Sequence, residues 1–298
     1  MRHWLLAGLL ALLLSATADA QTPEPGTRWL DISMGGLLVD WFNETAEPQD
    51  IARIENTVEI DRLLPLIRAG RKMVVFKSIA EAERFLPEIA SQIDIVGYNL
   101  EHGPINDPDE QASPVESVQR MRELADEYGL LLAVGPDHDF TVSHGVEMAP
   151  YADIFVLQIQ RQQESLETVQ DYVTSSGEAL LAANPALQLS VQLRSEGDPE
   201  RLAALVDSLR PAPDGVSVLT SPESIATTQV LVEALRRLPA PVMEEPVAQD
   251  PTAVAPVVSQ RAPVSSAHQA RLMLYVALAA ALGLFMLVQW WRSQAAGE

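Results

Sequence analysis

The segment LQLSVQLR, residues 187–194, alternates apolar and polar residues along its whole length. Successive side chains of a strand point to opposite sides, so this strand has one apolar face and one polar face. Strands of an open parallel sheet are covered by helices on both faces and are therefore apolar throughout. A parallel strand with one polar face is better explained by a closed barrel, whose polar face points towards the barrel's own mouth.

The rest of the segment from residue 28 to residue 238 agrees with this interpretation, because short apolar runs alternate there with longer amphipathic ones. Such alternation predicts parallel strands connected by helices. The predicted strands are residues 29–33, 73–77, 93–99, 130–134, 154–160, 187–194 and 216–220. The predicted helices are residues 57–69, 79–89, 114–128, 165–183, 199–209 and 222–238. We therefore predict an α/β fold, a (β/α)8 or TIM-like barrel, with the eighth strand within residues 37–42 or an irregular seven-stranded barrel.

Composition excludes several classes of function. The chain has no cysteine, so disulfides, iron–sulfur clusters and thiolate-ligated zinc are excluded. Its formal net charge of -21 opposes binding to the phosphates of nucleic acid, which is therefore not expected as a partner. No sequence motif indicates a cofactor, and none is predicted.

The beginning of the chain has the three parts of a secretory signal. A positive charge at Arg2 precedes an apolar run, and the sequence Ala18-Asp19-Ala20 is typical of a cleavage site. We predict that residues 1–20 are a cleaved signal peptide and that residues 21–27 lead into the barrel.

The end of the chain predicts a membrane anchor. Residues 239–270 are rich in proline and alanine, which is typical of an extended linker. Residues 271–292 contain an uncharged stretch long enough to cross a hydrocarbon core of about 30 Å, and residues 293–298 would form a cytoplasmic tail. The expected location is the cell membrane, with a single span and an extracellular or periplasmic barrel. Another envelope protein is a further candidate partner.

Polar residues stand at or just after the ends of the predicted strands, where barrels of this type bind their ligands. We predict that they bind a small polar ligand or a glycan, although a network of side chains that satisfy one another is the alternative, for instance with an ion pair between Lys77 and Asp31. The strand-end residues in this prediction are Asp31, Lys77, Asn99, Gln158, Gln160, Gln192 and Arg194.

Carboxylates and histidines follow the third and fourth predicted strands. Glu101 and either Asp137 or Asp139 are the candidate catalytic pair, since glycoside hydrolysis uses two carboxyl groups on neighbouring positions. His102 and His138 lie beside them in sequence and are candidate ligand-binding residues. Together with Asp137, the two histidines would alternatively supply nitrogen and oxygen ligands to a metal.

At the level of fold, this arrangement resembles the exported (β/α)8 glycoside hydrolases, although no family motif is matched residue by residue. Many such enzymes place an acid at the end of the fourth strand, whereas Glu101 follows the third strand predicted here. Trp41 and Phe42 would provide a platform for a sugar ring or, equally, a plug over the barrel. The predicted function is a hydrolase acting on a polar substrate such as a glycan; a non-catalytic binding module and a metal-dependent hydrolase are the alternatives.

Overall fold

A computed structural model describes residues 28–239. Eight parallel strands form a closed barrel in which each strand pairs with the next, and the last strand pairs with the first. The strands are β1 (Trp29–Ser33), β2 (Ile51–Ile54), β3 (Arg71–Phe76), β4 (Ile95–Tyr98), β5 (Leu131–Val134), β6 (Ile154–Gln158), β7 (Gln188–Arg194) and β8 (Gly215–Leu219). The predicted barrel is confirmed, and it is complete.

The eighth strand lies in a different place from the one predicted. It is β2, whereas residues 37–42 fall in a 3-10 turn and in a helix. A strand of four residues is too short to show a two-residue hydrophobic period, and Arg53, which points into the barrel, interrupts its apolar sequence. Because β2 adds one strand to those predicted before Glu101, this residue follows the fourth strand of the barrel, β4.

Nine α-helices of the described part of the chain connect the strands. Two of them, Ile79–Ile89 and Pro114–Tyr128, have the predicted bounds. The helices are α1 (Val39–Thr45), α2 (Ile60–Leu63), α3 (Ile79–Ile89), α4 (Pro108–Ala112), α5 (Pro114–Tyr128), α6 (His138–Met148), α7 (Leu166–Ala183), α8 (Pro199–Ser208) and α9 (Ile225–Arg236). The prediction of one helix over residues 57–69 was wrong, since α2 is only one turn long and 3-10 turns flank it. Pro65, which lacks the amide hydrogen that a continuing helix needs, lies within that region.

The alternation in residues 187–194 has the predicted structural meaning. Leu189, Val191 and Leu193 belong to the large core between the strands and the helices. Gln192, on the other face of β7, lines the inside of the barrel. The barrel interior has a second, smaller apolar cluster, formed by Trp29, Ile51, Met73, Val75, Ile95, Ala133, Ile154 and Val156.

Among the described residues no helix combines the length and the apolar character that a membrane span requires. The predicted signal peptide, the linker from residue 240 onwards, the membrane helix at residues 271–292 and the tail lie outside the part of the chain that the structure describes.

Trp29 occupies the amino-terminal end of the barrel interior, and its ring needs the absence of a side chain at Gly215. A Cβ atom built at Gly215 would lie well inside the van der Waals radius of that ring, while one built at Gly35 would have no neighbour within 4 Å. The small residue on β8 therefore allows the large one on β1.

We predict that Gly215→Ala lowers the free energy of unfolding by about 1–3 kcal/mol, the usual effect of overpacking a core. Chemical denaturation followed by circular dichroism measures the loss. Gly35→Ala serves as the control and is expected to change the free energy of unfolding by less than about 0.5 kcal/mol. Equal stability of the two variants would contradict the packing argument.

Candidate functional site

A cavity of about 280 Å³ opens at the end of the barrel where the strands terminate. Its walls contain small residues on two neighbouring strands, Gly97 on β4 and Ala133 and Gly135 at β5. Barrel interiors of this type are usually filled by branched apolar side chains. Val75 and Met73 pack closely against Gly97, while the small residues at β5 leave part of the interior open. Polar and charged groups line most of the remaining wall.

Arg53 forms the floor of this cavity. Its guanidinium lies 3.2 Å from Asp31 Oδ1 and 3.2 Å from Glu55 Oε1, and it donates to Gln192 Oε1 at 2.7 Å. The Arg53 and Asp31 side chains are almost wholly buried, with 5% and 1% of their surfaces exposed. Because a buried charge is tolerated only when it is paired and hydrogen-bonded, this network explains how the interior holds an arginine.

Asp31 is a buried acid of the cavity whose pKa is raised. Burial raises its pKa to about 6, even though the Arg53 guanidinium and a hydrogen bond from Ser217 oppose this effect. The Ser217 hydroxyl donates to Asp31 Oδ2 at 2.9 Å. The ion pair between Asp31 and Lys77, considered above, is not formed, since the basic partner of Asp31 is Arg53.

Glu101 lines the upper part of the cavity, where amide groups hold it. Its Oε1 accepts hydrogen bonds from Asn99 Nδ2 at 3.0 Å and from Gln158 Nε2 at 3.3 Å. The buried Asn106 fixes the connection after β4, because its Nδ2 donates to the carbonyl oxygens of Asn99 and Lys77 and its Oδ1 accepts from the Glu101 amide. The carboxylate is thus positioned by side chains at the ends of β4 and β6, and its backbone is held by Asn106.

Three basic side chains complete the cavity lining near the mouth: Lys77 after β3, Arg161 after β6 and Arg194 at the end of β7. None of the three forms an ion pair with a carboxylate within residues 28–239. They differ in this respect from arginines on the outer helices, such as Arg120, which contacts two glutamates.

Asp137 does not line the cavity, so the predicted pair of Glu101 and Asp137 is not brought together there. Asp137 instead caps helix α6, since its Oδ1 accepts from the Phe140 amide, and its Oδ2 accepts from the backbone and ring nitrogens of His102 at 2.9 and 2.7 Å. Partial burial works to raise the pKa of Asp137, but the hydrogen bonds from Phe140 and His102 outweigh it and lower the pKa.

The histidines form a separate cluster at the start of α6. His102 stacks on Phe140, with ring centroids 4.0 Å apart, and His138 packs against Tyr172. Asp139 is 81% exposed and contacts only the His138 ring among the ion pairs of the described residues. The predicted ligand-binding role of His102 and His138 and the catalytic role of Asp139 are therefore not supported by the lining of the cavity.

The alternative of a metal site built from His102, His138 and Asp137 is not supported either. In the described part of the chain no group of three His, Cys, Asp or Glu side chains is arranged to hold a metal ion. The predicted aromatic platform is also absent from the cavity lining. Both aromatic residues lie on helix α1, where Phe42 is buried in the large apolar core and Trp41 packs against it.

Most of the predicted strand-end residues do converge on the cavity. Gln158 reaches it indirectly, through its contacts with Asn99, Glu101 and the Gly135 carbonyl oxygen. The lining residues that the sequence predicted are Asp31, Lys77, Asn99, Glu101, Gln160, Gln192 and Arg194. The charged lining residues that it did not predict are Arg53 on the overlooked β2, Glu55 directly after this strand, and Arg161, which follows a predicted strand end by one residue.

Comparisons with known proteins show no family for this chain. No protein-family model matches this chain, and no curated protein sequence matches it. Among solved structures, it is similar to 3-keto-L-gulonate-6-phosphate decarboxylase from Vibrio cholerae, with 10% identity, a TM-score of 0.45, and coverage of 72% of this chain and 99% of that one. It is also similar to 3-hexulose-6-phosphate synthase, with 13% identity, a TM-score of 0.43, and coverage of 69% of this chain and 99% of that one. A third similar structure is endo-beta-N-acetylglucosaminidase from Cordyceps militaris, with 9% identity, a TM-score of 0.43, and coverage of 70% of this chain and 91% of that one. Similarities of this order carry no argument about either fold or activity.

The raised pKa of Asp31 predicts a pH dependence of stability. Since the pKa is about 6 in the folded chain and has an ordinary value of 3.8, the folded state binds more protons between these values. Stability due to Asp31 is therefore greatest below about pH 4 and falls as the pH rises through 6.

We expect the free energy of unfolding of the native chain, minus that of Asp31→Asn, to fall by on the order of 3 kcal/mol between pH 4 and pH 7. Urea denaturation at a series of pH values measures both terms, and the subtraction removes the contribution of the other carboxyl groups. A difference that stays constant across this range would show that Asp31 titrates normally.

Proposed function

We propose that this chain is an extracytoplasmic hydrolase that binds a small polar substrate, such as part of a glycan, in the mouth of its barrel. The observation that carries the proposal is the open cavity of about 280 Å³ into which Glu101 and two further carboxylates project. A cavity of this size holds a sugar-sized molecule rather than a long polymer segment.

Glu101 is the proposed acid or base of the reaction. It follows the fourth strand, which is where the resemblance to exported (β/α)8 glycoside hydrolases places an acid. Its second oxygen, Oε2, has no hydrogen-bond partner among residues 28–239, while Oε1 is held by two amides. A carboxyl group anchored through one oxygen leaves the other to exchange a proton with a substrate.

The second carboxylate of such a reaction comes from the cavity rather than from α6. Asp31 and Glu55 are the other acidic residues of the lining. Asp31 is buried and bonded to Arg53 and Ser217, which suits a structural role. Glu55 keeps 30% of its side chain exposed, and we assign it the role of partner to Glu101.

Replacing Glu101 tests the proposal. We expect Glu101→Gln to lower kcat about 10²- to 10⁴-fold on any glycan substrate found with a panel of oligosaccharides, because glutamine keeps the hydrogen bonds from the two amides but cannot transfer a proton. Asp137→Asn is the matched control, since asparagine also caps a helix. It is expected to retain kcat within a few-fold.

The two variants distinguish the cavity from the pair predicted by sequence alone. A loss of turnover in Asp137→Asn but not in Glu101→Gln would contradict the proposal. Unchanged turnover in both would remove Glu101 from catalysis altogether.

A non-catalytic binding module is the second candidate. It is favoured by the density of amide groups around the cavity, where Asn99, Gln158, Gln160 and Gln192 offer hydrogen bonds without chemistry. Saturable binding of an oligosaccharide that survives in Glu101→Gln, with no product formed by either protein, would favour this candidate over the hydrolase.

We further propose that residues 271–292 anchor the barrel to a membrane and that residues 1–20 direct its export. The support is the sequence itself, in which a 20-residue uncharged stretch lies between Arg271 and Arg292. The proline-rich residues 239–270 would hold the barrel away from the bilayer.

Fractionation tests the anchor. We expect the full chain to stay in the membrane pellet after extraction with alkaline carbonate, because a spanning helix is removed only when the bilayer is dissolved. A variant that ends after Leu238 is expected in the soluble fraction. Release of the full chain by carbonate would contradict the proposal.

A further inference from the structure

Basic residues outnumber acidic residues in the cavity lining, whereas acidic residues outnumber basic ones in the whole chain. The whole chain has 41 acidic residues and 20 lysines and arginines. The cavity lining instead has four basic residues, Arg53, Lys77, Arg161 and Arg194, and three acidic ones. A local excess of positive charge on a protein of strongly negative charge marks the place where an anion is attracted rather than repelled.

The positive charge available to a ligand lies at the mouth and not at the floor. Arg53 is already paired with both Asp31 and Glu55. These three groups therefore carry a net negative charge, which keeps an anion away from the floor. The remaining lining charges are Glu101 and the three basic side chains near the mouth.

The basic side chains near the mouth have no acidic partner within residues 28–239, although Glu101 lines the same cavity. No lysine or arginine in the described part of the chain lies within ion-pair distance of Glu101. The cations and the carboxylate are thus held apart by the strands that carry them. A ligand that enters between them meets donors on one side and Glu101 on another.

The order of the strands places these groups on separate walls. Lys77 follows β3 and Arg194 ends β7, and these two strands are four positions apart in a ring of eight. They consequently lie on opposite sides of the mouth. Arg161 follows β6, the neighbour of β7, so the two arginines are on the same side, and Glu101 after β4 is on the side of Lys77.

We propose that the ligand of this cavity carries an oxyanion, a carboxylate or a phosphate, which Arg161 and Arg194 bind. A guanidinium donates two parallel hydrogen bonds to such a group, and it does so better than a lysine ammonium. The uncharged polar part of the ligand extends across the mouth towards Glu101 and Lys77. An acidic sugar or a sugar phosphate has this chemistry. This inference rests on the proposed use of the cavity as a ligand site.

Calorimetric titration of the purified full-length chain tests the inference with three matched probes: glucose, glucuronate and glucose 6-phosphate. We expect at least one of the two acidic probes to bind about tenfold or more tightly than glucose, as expected for hydrogen bonds to a charged group. The affinity of the acidic probe is expected to fall as sodium chloride is raised, while that of glucose stays constant. The ratio of the two acidic affinities identifies carboxylate or phosphate as the preferred group.

Arg194→Gln is expected to lower the affinity for the acidic probe about tenfold and to leave that for glucose unchanged. Arg120→Gln is the matched control: it removes the same charge from the outer helix α5 and is expected to change neither affinity. Circular dichroism and thermal unfolding of both variants show that each is folded, and Arg161→Gln provides a second test of the same wall.

Two results would overturn the inference. One is binding of glucose as tightly as, or more tightly than, both acidic probes; the other is full affinity for the acidic probe in both Arg194→Gln and Arg161→Gln. Turnover of a neutral glycan that depends on Glu101, together with no preference for acidic probes, would support the proposed hydrolase and contradict the proposed anion site. Tight binding of an acidic probe, with no turnover of any oligosaccharide in the panel, would support the anion site and contradict the hydrolase.

Discussion

The pairing of Arg53 inside the barrel is the interaction on which the rest of the site depends. This side chain reaches from β2 to Asp31 on β1, Gln192 on β7 and the Val218 carbonyl oxygen on β8. It therefore joins strands on both sides of the β1–β8 closure. Removing one partner from such a network leaves a buried charge unpaired, which lowers the free energy of unfolding by several kcal/mol. The cavity above it has a rigid, polar floor for the same reason.

The fold could be predicted because one feature, the alternation in residues 187–194, depends only on the geometry of a strand. The short β2 could not be predicted in the same way. Its four residues, IARI, contain an arginine that looks solvent-exposed in sequence, and only the tertiary structure shows that Arg53 points into the barrel. Tertiary contacts decided this element, and local propensity did not.

The part of the site that lies on regular strands could be predicted, because the same two-residue period identifies the side chains that point into the barrel. Residues at inward positions of regular strands, such as Asp31 and Gln192, follow from the two-residue period. Residues in the connections do not follow any period. Asp137 looks like an acid beside a histidine, but its position before Phe140 is equally that of a helix cap, and the structure shows that the cap is what it forms. His102 and His138 contact Asp137, Phe140 and Tyr172 and do not line the cavity, so the clustering of histidines did not locate it.

Trp29 closes the barrel at the end opposite to the cavity, together with the apolar residues around it. Within residues 28–239, the barrel interior is therefore filled at the Trp29 end, and the cavity opens at the other end. Whatever occupies it must leave by the route through which its successor enters, so release and entry compete for one passage. In such a site the residence time of the departing molecule sets an upper limit on the frequency of turnover, whatever the speed of the chemistry.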